Sequence, residues 1–246
     1  MSNLIKIMGV AIFLWVTQAN AATDDCFPFV GEKYKFSVGW EFVNAGSAEI
    51  RVTKTGINGY KVHNFARTNG FLDLFKRVRD TIISEGVCID KKMQSTLFTT
   101  DQLERKYRAT KDVKFLYKEN KVSYTKNGKT TMFDVPAGYL NVIDAFYLTR
   151  MHPPTKGHPI SIPVFDSGEK YELTVKYLKH KMMKTPWDKW VDAIVIQPEM
   201  KTEGVFTSVG TIKIWLTNDE RHIPLKITAK LKIGRVVVVL EEYSKP

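Results

Sequence analysis

Two short stretches of this chain gather the side chains that proteins use for chemistry. Residues 215–224 set Asp219, Glu220, Arg221 and His222 side by side, just after Trp215. Carboxylates beside an imidazole are acid–base equipment, and a carboxylate pair is what glycan hydrolysis requires. The same segment also reads as ordinary turn chemistry, since Asn218-Asp219-Glu220 between two strand-like runs bends the chain with its charges in water. Residues 64–80 form the second stretch: Arg67, Arg77 and Arg79, Asp73 and Asp80, and Phe65, Phe71 and Phe75 surround Gly70. Arginines beside aromatic rings can grip an anionic head group at the rim of an apolar site. Alternatively Arg67, Arg79 and Asp80 form structural ion pairs that close the mouth of a barrel. His63, His152, His158, His180 and His222 are scattered, with no spacing suited to a metal. Neither a Gly-x-Ser-x-Gly elbow nor a phosphate-binding glycine loop occurs.

The elements that would carry these residues are strands. Tyr34, Phe36, Val38, Trp40 and Phe42 alternate with Lys33, Lys35, Ser37, Gly39 and Glu41, a half-buried strand with one aromatic face. Ala45-Gly46 is read as the following turn, Asn58-Gly59 and Asn127-Gly128 as hairpin turns, and Asp166-Ser167-Gly168 as a bend between later strands. Residues 139–152 break the rhythm. Leu140, Ile143, Tyr147 and Met151 sit at helical spacing, and Pro153-Pro154 ends the run. About a dozen short strands and one helix predict an all-β fold: one antiparallel barrel or strongly curved sheet spanning residues 22–246. A seam between two subdomains at the helix is the alternative.

The two cysteines, Cys26 and Cys88, and the first residues describe a setting. Lys6, an apolar run over residues 7–16 and the small-x-small ending at Ala19 and Ala21 have the layout of a cleavable signal peptide, residues 1–21. The mature chain is expected to begin at Ala22. In an oxidising compartment Cys26 and Cys88 are expected to pair. The polar residues before Cys26 argue against lipidation. The formal net charge is +11, and removal of Lys6 lowers it by one. For an exported protein that charge points away from nucleic acid and toward lipid or glycolipid head groups, acidic glycans or a membrane surface. Lysines simply solvating outer strand faces are the plainer alternative.

Several stretches resemble one family of exported bacterial proteins, the domain of unknown function 3108. They are Gly31-Glu32-Lys33-Tyr34 with Val38-Gly39-Trp40, residues 45–48, 66–68 and 78–80, Asp144-Ala145-Phe146-Tyr147, residues 162–168 and 184–187, and residues 214–224. The resemblance implies a periplasmic or outer-membrane-associated setting and a curved antiparallel β-barrel, and it brings no catalytic residues. Trp187-Asp188-Lys189-Trp190 stands where the family usually carries a small turn; its indoles are either a surface anchor or a local repacking. The resulting expectation is a non-enzymatic envelope protein without cofactor or metal, binding an apolar or amphipathic ligand or an envelope partner. An accessory factor in surface polysaccharide assembly and a periplasmic glycan hydrolase are the alternatives. The residues expected to line the ligand site are Trp40, Phe42, Arg67, Phe75, Arg79, Asp80, Trp215 and Arg221. Strand residues that interrupt their faces with lysine argue against a transmembrane barrel.

Overall fold

In a computed structural model the described residues are 26–41, 43–70, 77–104, 107–201, 211–231 and 234–246. The signal-peptide expectation, Phe42 and Phe75 lie outside them. Fourteen strands build one antiparallel sheet: β1 Lys33–Trp40, β2 Val43–Thr55, β3 Gly59–Thr68, β4 Val78–Ile89, β5 Lys92–Glu104, β6 Tyr107–Leu116, β7 Lys121–Lys126, β8 Lys129–Asp134, β9 Ile160–Asp166, β10 Glu169–Lys184, β11 Trp190–Lys201, β12 Ile212–Thr217, β13 Pro224–Lys230 and β14 Arg235–Ser244. One helix, α1 Val142–Met151, lies between β8 and β9.

The strand order has a simple logic. The chain starts at the centre with β1 and meanders outward to the edge strand β8. It then crosses through α1 to the other edge, β9, and meanders back to β14, which pairs with β1. Short turns make this possible. Asn127 and Gly128 both take positive φ, 49° and 82°, the conformation a two-residue hairpin of this hand needs and glycine adopts without strain.

The sheet rolls up without hydrogen-bonding closed. Val164 of β9 packs with Leu140 and with Ala145 of the helix. Phe165, next in the strand and therefore on the opposite face, packs its ring 6.5 Å from Phe115 and 5.3 Å from Phe133. So the β6–β8 edge laps over the outer face of β9. Lys111 Nζ reaches Asp166 Oδ1 at 2.7 Å across the lap. The free edge of β9 is capped by Leu140, whose N–H donates to Pro163 O and whose carbonyl accepts from Phe165 N, each at 3.0 Å.

The helix sits inside this roll. None of its residues is exposed, and they pack into four clusters contributed by different strands. It begins at Val142 rather than near Tyr139, because Asn141 is its cap: the Asn141 side chain accepts from the N–H of Ile143 and Asp144. Expectation and structure also differ at the first hairpin. Trp40 pairs with Val43 and Glu41 takes φ of 51°, so the chain turns there. Gly46 lies inside β2, beside a bulge that leaves Ala45 unpaired. Cys26 and Cys88 form a disulfide, with Cα atoms 5.5 Å apart. It staples the arm before β1 to the end of β4, worth about 4 kcal/mol in the chain-entropy account for such a loop.

Candidate functional site

Two buried polar constellations hold the helix in place. At its C-terminal end, Arg150 Nη1 and Nη2 donate to Glu32 Oε2 and Oε1 at 2.8 and 3.0 Å, a bidentate pair hidden from solvent. Arg150 Nε and Nη2 also donate to the carbonyls of His222 and Arg221, both at 2.9 Å. Its guanidinium lies 4.1 Å from the Phe29 ring centre. Tyr34 and Tyr243 hydroxyls donate to Glu32 at 2.5 and 3.2 Å. This one cluster joins the N-terminal arm, β1, β14, α1 and the β12–β13 turn.

At the other end of the helix Asp144 is fully enclosed. It accepts from Ser84 Oγ at 2.8 Å, Ser95 Oγ at 2.5 Å and Asn141 Nδ2 at 2.9 Å. Burial pushes its carboxyl up to about 6, with those hydrogen bonds opposing the shift. The Tyr60 hydroxyl is held nearby but makes no hydrogen bond of good geometry. Its ring stacks on Phe27 at 3.7 Å, and its hydroxyl occupies the space a side chain at Gly86 would need. Both constellations tie the helix to strands around it and serve the architecture of the fold.

The inner surface changes character along the strands. Near the helix it is filled: Tyr34 and Phe36 are each 2% exposed, and Leu240 is buried beside them. Toward the opposite end the same faces continue as half-buried Val38, Val236, Val238, Ile227 and Ile212. On β3 to β5 the inner side of the ladder carries Asn64, Asp80 and Thr100. Among the described residues, the inner faces of β12–β14 and β1 are thus apolar at that end, whereas those of β3–β5 carry polar side chains. On the outside near the helix, a cleft of about 630 Å³ has Phe29, Met93, Leu140, Leu148 and Met151 among its lining.

The expected site residues are dispersed over this frame. Arg67 and Arg79 are directly opposite each other on β3 and β4. They share an outer groove of about 390 Å³ with Ser47, Thr68 and Asn69. Arg67 Nε donates to Ser47 Oγ, and Arg79 Nη1 to the carbonyls of Thr68 and Val78. Asp80 is excluded from that groove by alternation; it points to the inner face and accepts from Leu103 N. Trp215 lies on the outer face under Lys226, whose Nζ is 5.5 Å from the ring. Arg221 donates from Nε and Nη2 to Asp219 at 3.0 and 2.7 Å. Burial raises the Asp219 carboxyl, but hydrogen bonds from Thr217 and Arg221 outweigh it and leave the pKa below the ordinary value. The segment 218–222 is therefore a bonded turn whose carbonyls receive Arg150. Trp40 lies on the face of β1 that carries Phe36 and Val38 and is 39% exposed, unlike Tyr34 and Phe36 nearer the helix. Sequence reasoning missed Glu32, Ser84, Ser95, Asn141 and Arg150. The available signal was a helix carrying Asp144, Thr149 and Arg150 with no residue pattern marking a solvent face.

Among the described residues, no group of three or more His, Cys, Asp or Glu side chains could hold a metal ion. No described helix is long and apolar enough to cross a membrane. A search of curated proteins finds no match. Among solved structures, a β-barrel-like protein of the domain of unknown function DUF1849 from Brucella abortus superposes with a TM-score of 0.63 at 10% identity, over 89% of this chain and 98% of that one. The hypothetical protein CT021 from Chlamydia trachomatis aligns over 88% of this chain and 87% of that one, at 9% identity and a TM-score of 0.34. The first likeness supports the β-barrel-like fold. A family model described as protein of unknown function (DUF3108) matches residues 34–241, and the chain belongs to that family.

Proposed function

We propose that this is an exported, non-enzymatic binding protein that takes an amphipathic lipid or glycolipid into the unfilled half of its rolled sheet. The observation that carries this reading is the graded inner face. Val38, Val236 and Val238 continue the packed faces of Phe36 and Leu240 but stay half-buried, while the inner side of β3–β5 carries Asn64, Asp80 and Thr100. An apolar wall against a polar one suits a ligand with one greasy and one hydrogen-bonding side. The disulfide is consistent with export. Of the two carboxylates singled out for hydrolysis, Asp219 and Glu220, the first is bonded to Arg221 within the turn, which favours binding over catalysis.

A fluorescent long-chain fatty acid tests the reading. Saturable binding to the exported chain is expected, with loss of binding in Val238→Trp, which fills the space while the melting temperature holds. Absence of binding, or binding unchanged in Val238→Trp, sinks it.

A further inference from the structure

The β10–β11 hairpin runs past its neighbours. β9 pairs with β10 only as far as Val175, and β12 pairs with β11 only from Ala193 onward. Residues 176–184 therefore form a free edge, closed at its end by the turn 185–189. That turn is rigid. Thr185 N and Oγ1 both donate to Lys189 O, at 2.8 and 3.0 Å, Lys189 N donates back to Thr185 Oγ1 at 3.1 Å, and Asp188 N donates to Thr185 O at 3.1 Å. Lys184 and Asp188 form an ion pair at 2.5 Å across it.

What this tip displays is unusual for a surface in water. Trp190 is 65% exposed, Met182 55%, Leu178 38% and Trp187 36%. The register puts Met182 beside Asp192 and Trp190 beside Lys184 on one face of the ribbon. The other face is used: Met183 and Val191 pack with Tyr34 and Leu225. Lys179, Lys181, Lys184 and Lys189 lie along the same stretch of ribbon, and Lys176 pairs with Glu199 at 2.6 Å. The two acidic residues are already paired, Asp188 with Lys184 and Asp192 with His180 at 2.8 Å. Lysines along a free edge have an ordinary use, since they discourage edge-to-edge pairing. The Trp187 ring lies 6.4 Å from that of Tyr243, but that ordinary use does not account for Trp190 and Met182 exposed on one face beside a bonded turn.

We infer that the β10–β11 tip is a docking element for an anionic phospholipid bilayer. Indoles settle at the boundary between head groups and acyl chains, where the ring is buried and its N–H stays hydrated. Lysines around them meet the negative surface. A protein partner fits the tip less well. Stable protein interfaces use some 20–30 residues a side, whereas this patch is a few exposed apolar side chains on a two-stranded ribbon. The inference goes beyond the ligand reading and stands whether or not the interior holds a lipid.

The test is co-sedimentation with vesicles, using the exported chain with its N-terminus verified by intact mass. Vesicles of phosphatidylglycerol and phosphatidylethanolamine are compared with phosphatidylcholine alone. All variants share that N-terminus, so differences among them report the tip. Binding to the anionic vesicles, weakened by salt, is expected. Trp190→Ser should lower partitioning on the order of tenfold, by loss of one buried aromatic group. Lys181→Glu and Lys189→Glu should each lower it roughly fivefold or more, from about 1 kcal/mol per charge near the surface. Lys54→Glu, at the end of β2, should leave it nearly unchanged. The inference fails if the wild type ignores anionic vesicles at low salt. It fails equally if Trp190→Ser binds like wild type, or if Lys54→Glu weakens binding as much as the tip lysines do. Concentration-dependent dimerisation abolished by Trp190→Ser, without vesicle binding, would overturn it in favour of contact between copies of the chain.

Discussion

The two ends of the rolled sheet are built from the same strands and differ in what fills them. At the helix end, β1 and β14 contribute Tyr34, Phe36 and Leu240 to a closed core, and the charged groups of α1, Asp144 and Arg150, have partners there. At the opposite end the same two strands offer Val38, Val236 and Val238, chemically as apolar but only half-covered. Strand alternation therefore says which residues face inward, and a plug from elsewhere in the chain decides which of them are buried. The plug is expensive to place. A helix with no exposed residue cannot leave Arg150 or Asp144 in water, so each needs charges and hydroxyls brought from strands distant in sequence.

Breaking the plug should have the largest effect. Glu32→Ala, which strands the Arg150 guanidinium in the interior, is expected to cost about 3–5 kcal/mol. Denaturant unfolding measures it. Arg150→Met should cost a similar amount, and the Glu32→Ala/Arg150→Met double variant clearly less than the sum of the two, since the second change removes the orphaned charge left by the first. A loss below about 1 kcal/mol in both single variants would mean that the helix is held by packing alone.

Titrating the plug comes next. The folded-state pKa of Asp144 is raised, to about 6 from 3.8. Its enclosed, protonated form therefore adds stability below pH about 4, and that contribution is lost as pH rises through 6. The full swing is about 3 kcal/mol. Asp144→Asn should flatten this part of the pH profile of the melting temperature, with the remaining carboxylates giving both proteins the same acid limb. Equal slopes for the two proteins between pH 4 and 6 would place the Asp144 charge in a better-solvated site than the structure gives it.

How much of this was readable beforehand follows from sequence distance. Alternation and turn pairs act within a few residues, so the strands, the Asn127-Gly128 hairpin and the helix before Pro153-Pro154 could be read directly. The cap at Asn141 is local too, and reading it would have moved the helix start to Val142. Alternation also separates Arg79 from Asp80, which cannot share a face. The plug is another matter. Arg150 and Glu32 are 118 residues apart, and Asp144 finds Ser84 and Ser95 at separations of 60 and 49. Nothing about a glutamate before a strand, or two serines within strands, announces such partners. Cys26 and Cys88 were legible at a separation of 62 because the pair leaves no choice of connectivity.

The smallest expected effect is the one that most sharpens the contrast between the two ends. Leu240 and Trp40 lie on the inner faces of adjacent strands, the first paired with Phe36 near the helix, the second paired with half-buried Val236 toward the opposite end. Leu240→Ala should cost about 2–5 kcal/mol, because a closed core cannot collapse onto the space left. Trp40→Ala removes a larger side chain, yet it should cost only about 1 kcal/mol, since much of the indole is already in solvent. Its ring does touch Gly234 across the β13–β14 turn, so the cost is not zero. The order matters more than either number: by side-chain size alone the tryptophan would be the worse loss. Thermal and denaturant melts of the two variants decide it. If Trp40→Ala proves the more destabilising, the end of the roll away from the helix is packed in solution, and the space assigned to a ligand is occupied by the protein itself.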